Sequence, residues 1–269
     1  MSESGGYAPV NGLQMYYETH GSGGDRPLVL LHGNLSTIGV DFGGIIPSLA
    51  KSRQVIGVEQ QAHGHTADID RPLSIRQWTK DTVALLGHLG IGRVDLFGYS
   101  TGSAVAFQIA LDHPELVGKL VLASFSYRLD GLHPGLMESV GGLKPEHLAG
   151  TPFEQDYARV APNPGDWPEL IRKITEMDAD LPKWSADDVR NLAAPTMLVI
   201  GDSDIVQPEH TVEIFRLRGG GVIGDLAGLP PARLAVLPGT THVTLVQRAE
   251  WLSSMVGEFL DAAADNQVS

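Results

Sequence analysis

The sequence predicts an α/β fold, namely a mostly parallel central sheet of about eight strands with helices on both faces and an inserted helical cap. Three observations predict it. Short apolar runs recur along the chain, and several are continuously apolar, as central strands buried on both faces are. Helical periodicity lies between many of these runs, as over 75–89 and 103–111. Between residues 124 and 191 the strand pattern stops, and prolines are mixed with short amphipathic stretches.

The elements predicted in chain order divide the sequence into three parts. We expect residues 1–123 and 192–269 to form the two parts of one core and residues 124–191 to form a helical lid. The strand-like runs are Leu13 to Glu18, Pro27 to Leu31, Gln54 to Glu59, Val94 to Phe97, Leu120 to Ala123, Thr196 to Ile200 and Leu234 to Leu237.

Composition excludes several classes of function. The 269 residues have a net charge of −13 and no cluster of Lys and Arg, which argues against nucleic acid and anionic membranes as partners. The sequence contains no cysteine, so disulfides, thiolate metal sites and cysteine nucleophiles are excluded. No apolar run approaches the ~20 residues that span a bilayer, and the first residues do not resemble a signal peptide. We therefore expect a cytoplasmic protein without membrane association.

The segment Gly98-Tyr99-Ser100-Thr101-Gly102 places a serine between two glycines where a strand pattern changes to a helical one. A reversal within so few residues forces the serine into a cramped backbone conformation, and its neighbours two positions away must lack bulk. The serine hydroxyl then lies at a helix N-terminus, where developing negative charge is stabilised. Ser100 is therefore the candidate nucleophile, although a glycine-rich turn alone would also give this pattern.

A serine nucleophile needs a histidine base and a carboxylate that orients the base. His242 follows the last predicted strand, after Pro238-Gly239-Thr240-Thr241, which we interpret as a loop from the carboxyl end of that strand. Two aspartates follow the strand before it. Asp204 is the candidate acid, because Asp202 beside a glycine is the better candidate for shaping the turn; Glu209 is a weaker third option.

The oxyanion of an acyl-transfer reaction needs two N–H donors. The amide of Thr101 is one candidate, and the tip of another strand, Leu31-His32-Gly33-Asn34, supplies the amide of Asn34. His32, beside a tight glycine turn, is interpreted as a structural hydrogen-bonding residue rather than the base.

Together, His32-Gly33, the turn at Ser100, Asp204 and His242 resemble the α/β-hydrolase fold family over nearly the whole chain. The resemblance implies Ser100 as nucleophile, Asp204 as acid, His242 as base, the amides of Asn34 and Thr101 as oxyanion hole, and a lid beginning near Ser124. It implies no cofactor. Many relatives carry Asp-x-Arg-Gly-His-Gly-x-Ser after the fourth strand.

This chain has Glu59-Gln60-Gln61-Ala62-His63-Gly64-His65-Thr66 there, and its sequence gives no catalytic role for that segment. We interpret it as a structural loop rather than a metal site, because two histidines without further ligands make a poor metal site.

The resemblance implies a serine hydrolase that cleaves small or medium carboxylic esters through an acyl-enzyme. The absence of an evident cationic cluster favours an uncharged acyl group. A lactonase, a carbon–carbon bond hydrolase, an acyltransferase or a perhydrolase is compatible with the same residues. A small-molecule receptor with little or no turnover is the alternative from another class. The expected partner is a small-molecule ester, and the sequence leaves open whether the protein is a monomer or a homo-oligomer.

Overall fold

The computed structural model describes residues 3–262, and its central feature is one eight-stranded sheet. The strands are β1 (Glu3–Val10), β2 (Leu13–His20), β3 (Leu28–Leu31), β4 (Val55–Val58), β5 (Val94–Tyr99), β6 (Val117–Ala123), β7 (Thr196–Ser203) and β8 (Ala232–Thr241). The helices are α1 (Ile38–Phe42), α2 (Ile46–Leu49), α3 (Ile75–His88), α4 (Thr101–Asp112), α5 (Leu136–Gly141), α6 (Pro152–Val160), α7 (Trp167–Ala179), α8 (Ala186–Arg190), α9 (Pro208–Leu217), α10 (Gly224–Ala227), α11 (His242–Leu245) and α12 (Ala249–Asp261).

The sheet has the order β1-β2-β4-β3-β5-β6-β7-β8 and is parallel from β4 to β8. Only β2 runs antiparallel to both of its neighbours. Side chains of β3 alternate between two cores: Val29 and Leu31 pack on the α3–α4 side, and Leu28 and Leu30 pack on the side of α1, α2 and α12. Because both faces are buried, the central strands are continuously apolar, as the sequence analysis predicts.

The first strand, β1, is absent from the runs predicted from sequence. It contains Gly5, Gly6 and Pro9, which are poor strand formers, and it lies at the sheet edge. The glycines leave room for tyrosine rings of β2, because a Cβ on Gly5 would lie 2.5 Å from the Tyr16 hydroxyl. A usable signal was present in Asn11-Gly12, both of which have positive φ in the tight β1–β2 turn.

A second prediction was wrong: we expected Pro238 to Thr241 to form a loop, but this segment belongs to strand β8. Ser203 pairs with Thr241 across a register irregularity, so β7 and β8 both run further than their apolar runs. Pro238 is tolerated because β8 is an edge strand, where a missing N–H costs no pairing.

The segment 124–191, here called the lid segment, lies between β6 and β7 and contains α5, α6, α7, α8 and three short 3₁₀ turns. Much of its apolar surface is buried in the same core as α4, through residues that include Phe125, Tyr157, Trp167 and Leu170. In residues 3–262 no helix has the length and apolarity needed to cross a bilayer.

Candidate active site

The turn at Ser100 has the strained geometry that its glycines predict. Ser100 has φ 53° and ψ −124° and stands directly before α4. A Cβ on Gly98 would lie 2.2 Å from the carbonyl oxygen of Gly102, and a Cβ on Gly102 would lie 1.9 Å from that of Leu31. Both positions therefore exclude any side chain, and the serine hydroxyl is held at the tip of β5.

The structure brings Ser100, His242 and Asp204 together in one hydrogen-bonded line, although 142 residues separate the first two. His242 Nε2 lies 3.0 Å from Ser100 Oγ, and His242 Nδ1 lies 2.9 Å from Asp204 Oδ1. Because the carboxylate only accepts, Nδ1 carries the hydrogen, and Nε2 is left to accept from the serine hydroxyl.

The carboxylate of Asp204 stays charged despite its burial. Burial alone would raise its pKa, but the hydrogen bond and charge of His242, the hydroxyl of Ser124 and the amide of Val206 together hold the pKa below its usual value. The Ser124 hydroxyl donates to Asp204 Oδ2 at 2.6 Å. Sequence analysis identified Ser124 only as the start of the lid; the contact arises because β6 ends beside β7, and no local motif marks it.

Asp202, the competing aspartate, lies in β7 and is exposed. Its carboxylate accepts from the amides of Gly239 at 2.8 Å and Thr240 at 3.0 Å, so it ties β7 to β8 rather than shaping its own turn. These bonds hold the pKa of Asp202 below its usual value. Glu209 lies exposed in the first turn of α9.

Residues 32–37, here called the oxyanion loop because they include the predicted oxyanion donor Asn34, place the amide of Asn34 between two amides that already have hydrogen-bond acceptors. Gly33 N–H donates to Asp41 Oδ2 at 2.8 Å, and Leu35 N–H donates to His63 Nε2 at 3.1 Å. Thr101 is the first residue of α4, so its amide has no acceptor within the helix. The two predicted donors are therefore free of these local bonds.

Two buried side chains, those of Asp41 and His32, hold the oxyanion loop in place. Asp41 also accepts from the Ser36 hydroxyl at 2.7 Å, and burial raises its pKa more than these bonds lower it. His32 donates from Nδ1 to the carbonyl of Gly33 at 2.8 Å and accepts the amide of Gln60 at Nε2. His32 thus makes structural hydrogen bonds and lies outside the Ser100 line.

The segment 59–66 is the second support of the oxyanion loop, a role that the sequence did not show. Burial lowers the pKa of His63 to about 3, so the ring is neutral, donates to the Gln61 carbonyl and accepts from Leu35. Leu35 has φ +60°, a conformation that needs such support. His65 forms a hydrogen bond with buried Glu59 at 2.9 Å, and this bond raises the pKa of His65.

Comparison with known proteins agrees with this architecture. A family model described as alpha/beta hydrolase fold matches residues 26–249. The 2-hydroxymuconate semialdehyde hydrolase of Pseudomonas sp. strain CF600 is 26% identical over 281 residues, which cover 91% of each chain.

Solved structures share the fold. The meta-cleavage product hydrolase of Pseudomonas fluorescens IP01 superposes with a TM-score of 0.76 at 19% identity, over 95% of this chain and 97% of that one. The enol-lactonase of Burkholderia xenovorans LB400 gives 0.73 at 18% identity, over 95% of this chain and all of that one. The chain therefore belongs to the α/β hydrolase fold family, a family of hydrolases.

Proposed function

We propose that the protein is a serine hydrolase that cleaves small or medium carboxylic esters through an acyl-enzyme. The observation that carries the proposal is the hydrogen-bonded line from Ser100 through His242 to Asp204, with contacts of 3.0 and 2.9 Å. Nucleophile, base and orienting acid then come from the ends of three strands.

In the proposed reaction Ser100 Oγ attacks the ester carbonyl carbon while His242 Nε2 takes the serine proton. The carbonyl oxygen becomes an oxyanion that accepts from the amides of Asn34 and Thr101, each worth about 3 kcal/mol in the transition state. Collapse breaks the bond to the alcohol oxygen, which receives the proton from His242. Water, deprotonated by His242, then attacks the acyl-enzyme and releases the acid and Ser100.

A second candidate is hydrolysis of a carboxylate-bearing unsaturated aldehyde such as 2-hydroxymuconate semialdehyde, which the relative from strain CF600 has in its name. The lid side chains that bond to the oxyanion loop are Asp156 and Asp178, which reach Thr37 and Asn34. Asp156 is paired with Arg159, whereas the Asp178 carboxylate, which contacts Asn34, would repel a substrate carboxylate, so this contact favours uncharged esters over that substrate class.

The test is hydrolysis of p-nitrophenyl acetate and p-nitrophenyl octanoate by the wild type, Ser100→Ala and Ser48→Ala. Ser48 is an exposed serine of α2 and serves as the matched control. We expect turnover in the wild type and Ser48→Ala, and a loss of roughly a thousandfold or more in Ser100→Ala. Absence of both turnover and a nitrophenol burst in the wild type contradicts the proposal, and 2-hydroxymuconate semialdehyde is then the next substrate to assay.

A further inference from the structure

Three side-chain contacts join the lid segment to loops of the core beside the sheet ends. The Thr37 hydroxyl donates to Asp156 at 2.6 Å, Lys173 Nζ donates to Asp68 at 2.6 Å, and Asn34 Nδ2 donates to Asp178. The first two carboxylates each pair with a cation, since Arg159 binds Asp156 and Lys173 binds Asp68.

Asp178, near the end of α7, differs from the other two carboxylates because none of the ion pairs found within residues 3–262 includes it. Its two oxygens lie 3.1 and 3.3 Å from the same nitrogen, Asn34 Nδ2. A carboxylate accepts about four hydrogen bonds, so most of its capacity is unused. Burial raises the pKa of Asp178 to about 6, and the Asn34 amide offsets this only in part. The group is charged at neutral pH.

Asn34 supplies a second acceptor without a donor. Its Nδ2 faces Asp178, and its Oδ1 is buried with no hydrogen-bond partner among the described residues. A buried acceptor left unpaired is costly, and the partly buried Asp178 carboxylate is bound by a neutral amide alone among the described residues. Two adjacent residues in space therefore present acceptors that a donor would satisfy.

The backbone that carries Asn34 passes close to Ser100. Asn34 directly follows Gly33, where a Cβ would lie 3.2 Å from Ser100 Cβ. The amide of Asn34 is also one of the proposed oxyanion donors. Because the reacting carbonyl must sit between Ser100 and that amide, the neighbouring part of the substrate comes close to Asn34, whose side chain contacts Asp178.

We infer that Asp178 and Asn34 Oδ1 form a specificity subsite for a hydrogen-bond-donating substituent, a hydroxyl or an amine, carried by the ester substrate. This inference rests on the proposed function. A substrate ammonium can donate to both acceptors, a hydroxyl can donate to one of them, and a plain alkyl ester leaves both unpaired. Sites built to hydrogen-bond a substrate group discriminate strongly against analogues that lack it.

The test compares three matched esters: p-nitrophenyl butanoate, p-nitrophenyl 3-hydroxybutanoate and p-nitrophenyl 3-aminobutanoate. kcat/KM is measured for the wild type, Asp178→Leu, Asp178→Asn and Asp156→Asn. Leucine resembles aspartate in size and has no acceptor, and asparagine keeps the shape without the charge. Asp156→Asn is the matched control, because it alters a lid aspartate that bonds to the oxyanion loop at Thr37 instead.

We expect the wild type to prefer a donor-bearing ester about tenfold or more over the butanoate. Asp178→Leu should reduce that ratio to near one, mainly because kcat/KM falls for the donor-bearing ester. Asp156→Asn should keep the wild-type ratio. Asp178→Asn should abolish a preference for the amine and weaken one for the hydroxyl, because the charge-assisted bond is lost. The hydroxyl and amine arms thereby show which donor the subsite takes.

A wild-type ratio near one for both donors overturns the inference, and so does a ratio that persists in both Asp178 variants; Asp178 is then only a lid contact. A binding measurement separates this failure from failure of the proposed function. Calorimetry with Ser100→Ala, with and without Asp178→Leu, measures the donor preference in Kd without turnover. A Kd preference that depends on Asp178 supports the subsite even if no ester is hydrolysed, and its absence overturns it.

Discussion

The oxyanion loop and the lid segment both lie outside the sheet, yet they are held by different kinds of interaction near the candidate site. The loop is bound through its backbone: fully buried Asp41, His32 and His63 bond to amides and carbonyls of residues 33 and 35. Beside the oxyanion loop the lid segment is bound through side chains, as in the pairs Thr37–Asp156, Lys173–Asp68 and Asn34–Asp178. Its backbone bonds to the core lie elsewhere, as between His133 N–H and the Ile205 carbonyl.

The difference indicates a division of roles. Backbone bonds to buried groups position the proposed oxyanion donor with little freedom, which suits a group that must match a transition state. Side-chain contacts can change with a single substitution while the backbone stays in place. We therefore expect changes around the oxyanion loop to alter turnover of every ester, and changes in the lid contacts to alter stability or substrate preference.

Among changes outside the Ser100–His242–Asp204 line, the largest loss of turnover is expected for Gly102→Ala. Its Cβ would meet the carbonyl oxygens of Leu31 at 1.9 Å and His32 at 2.6 Å, so the turn at Ser100 and the oxyanion loop must move apart. Displacement by about 1 Å can cost 100-fold, and we expect at least that loss in kcat for p-nitrophenyl butanoate, with about 3 kcal/mol less stability.

Gly257→Ala is the control for this substitution, because a Cβ there meets nothing within 4 Å in α12. Alanine should stabilise that helix by up to about 1 kcal/mol and leave kcat unchanged. Wild-type turnover by Gly102→Ala would show that the two loops are less tightly matched than their contacts imply.

An intermediate effect is expected for His63→Gln, which retains an acceptor for the Leu35 amide but fits the site less well. Removing an oxyanion donor costs about 100- to 1000-fold; loosening one should cost about tenfold in kcat with little change in KM. Kinetics at pH 7 with p-nitrophenyl butanoate measure it. An unchanged kcat with a raised KM would show that His63 supports binding rather than the oxyanion loop.

The same variant has a pH signature in stability. Folded His63 has a pKa of about 3, whereas the unfolded residue titrates near 6.5. Between these values the unfolded state binds more protons, so the free energy of unfolding falls as the pH falls, by at most ~1.4 kcal/mol per pH unit. Urea unfolding at pH 7 and pH 5 should show a smaller loss in His63→Gln than in the wild type. Equal losses would contradict this assignment.

The smallest effect on turnover is expected for Lys173→Met in the lid segment. Lys173 Nζ donates to Asp68 and to the carbonyls of Ile69 and Arg71, and the variant leaves Asp68 with only Gln61 as its partner. Breaking a buried pair costs about 3 kcal/mol, which denaturant unfolding measures. kcat/KM for p-nitrophenyl butanoate should stay within about threefold of wild type. A large loss of kcat in a variant that remains folded would show that this lid contact contributes to catalysis.

Sequence by itself determined the features that depend on short spacings. Apolar runs predicted seven of the eight strands of the sheet, and the family comparison confirms the fold that they imply. The glycines around Ser100 predicted a strained turn because their separation of two residues on each side is a local steric requirement. The edge strand β1 was not predicted, because its glycines and proline are poor strand formers and its one clear sequence signal is the Asn11-Gly12 turn.

Tertiary structure alone decided which distant side chains meet. Asp202 and Asp204 are two residues apart in sequence, but only Asp204 faces His242, since β7 continues through Asp202 and directs that carboxylate to β8. The Ser124–Asp204, His63–Leu35 and Asn34–Asp178 contacts join residues that are 80, 28 and 144 positions apart. Such pairs arise from the packing of strand ends and lid, which no local pattern encodes.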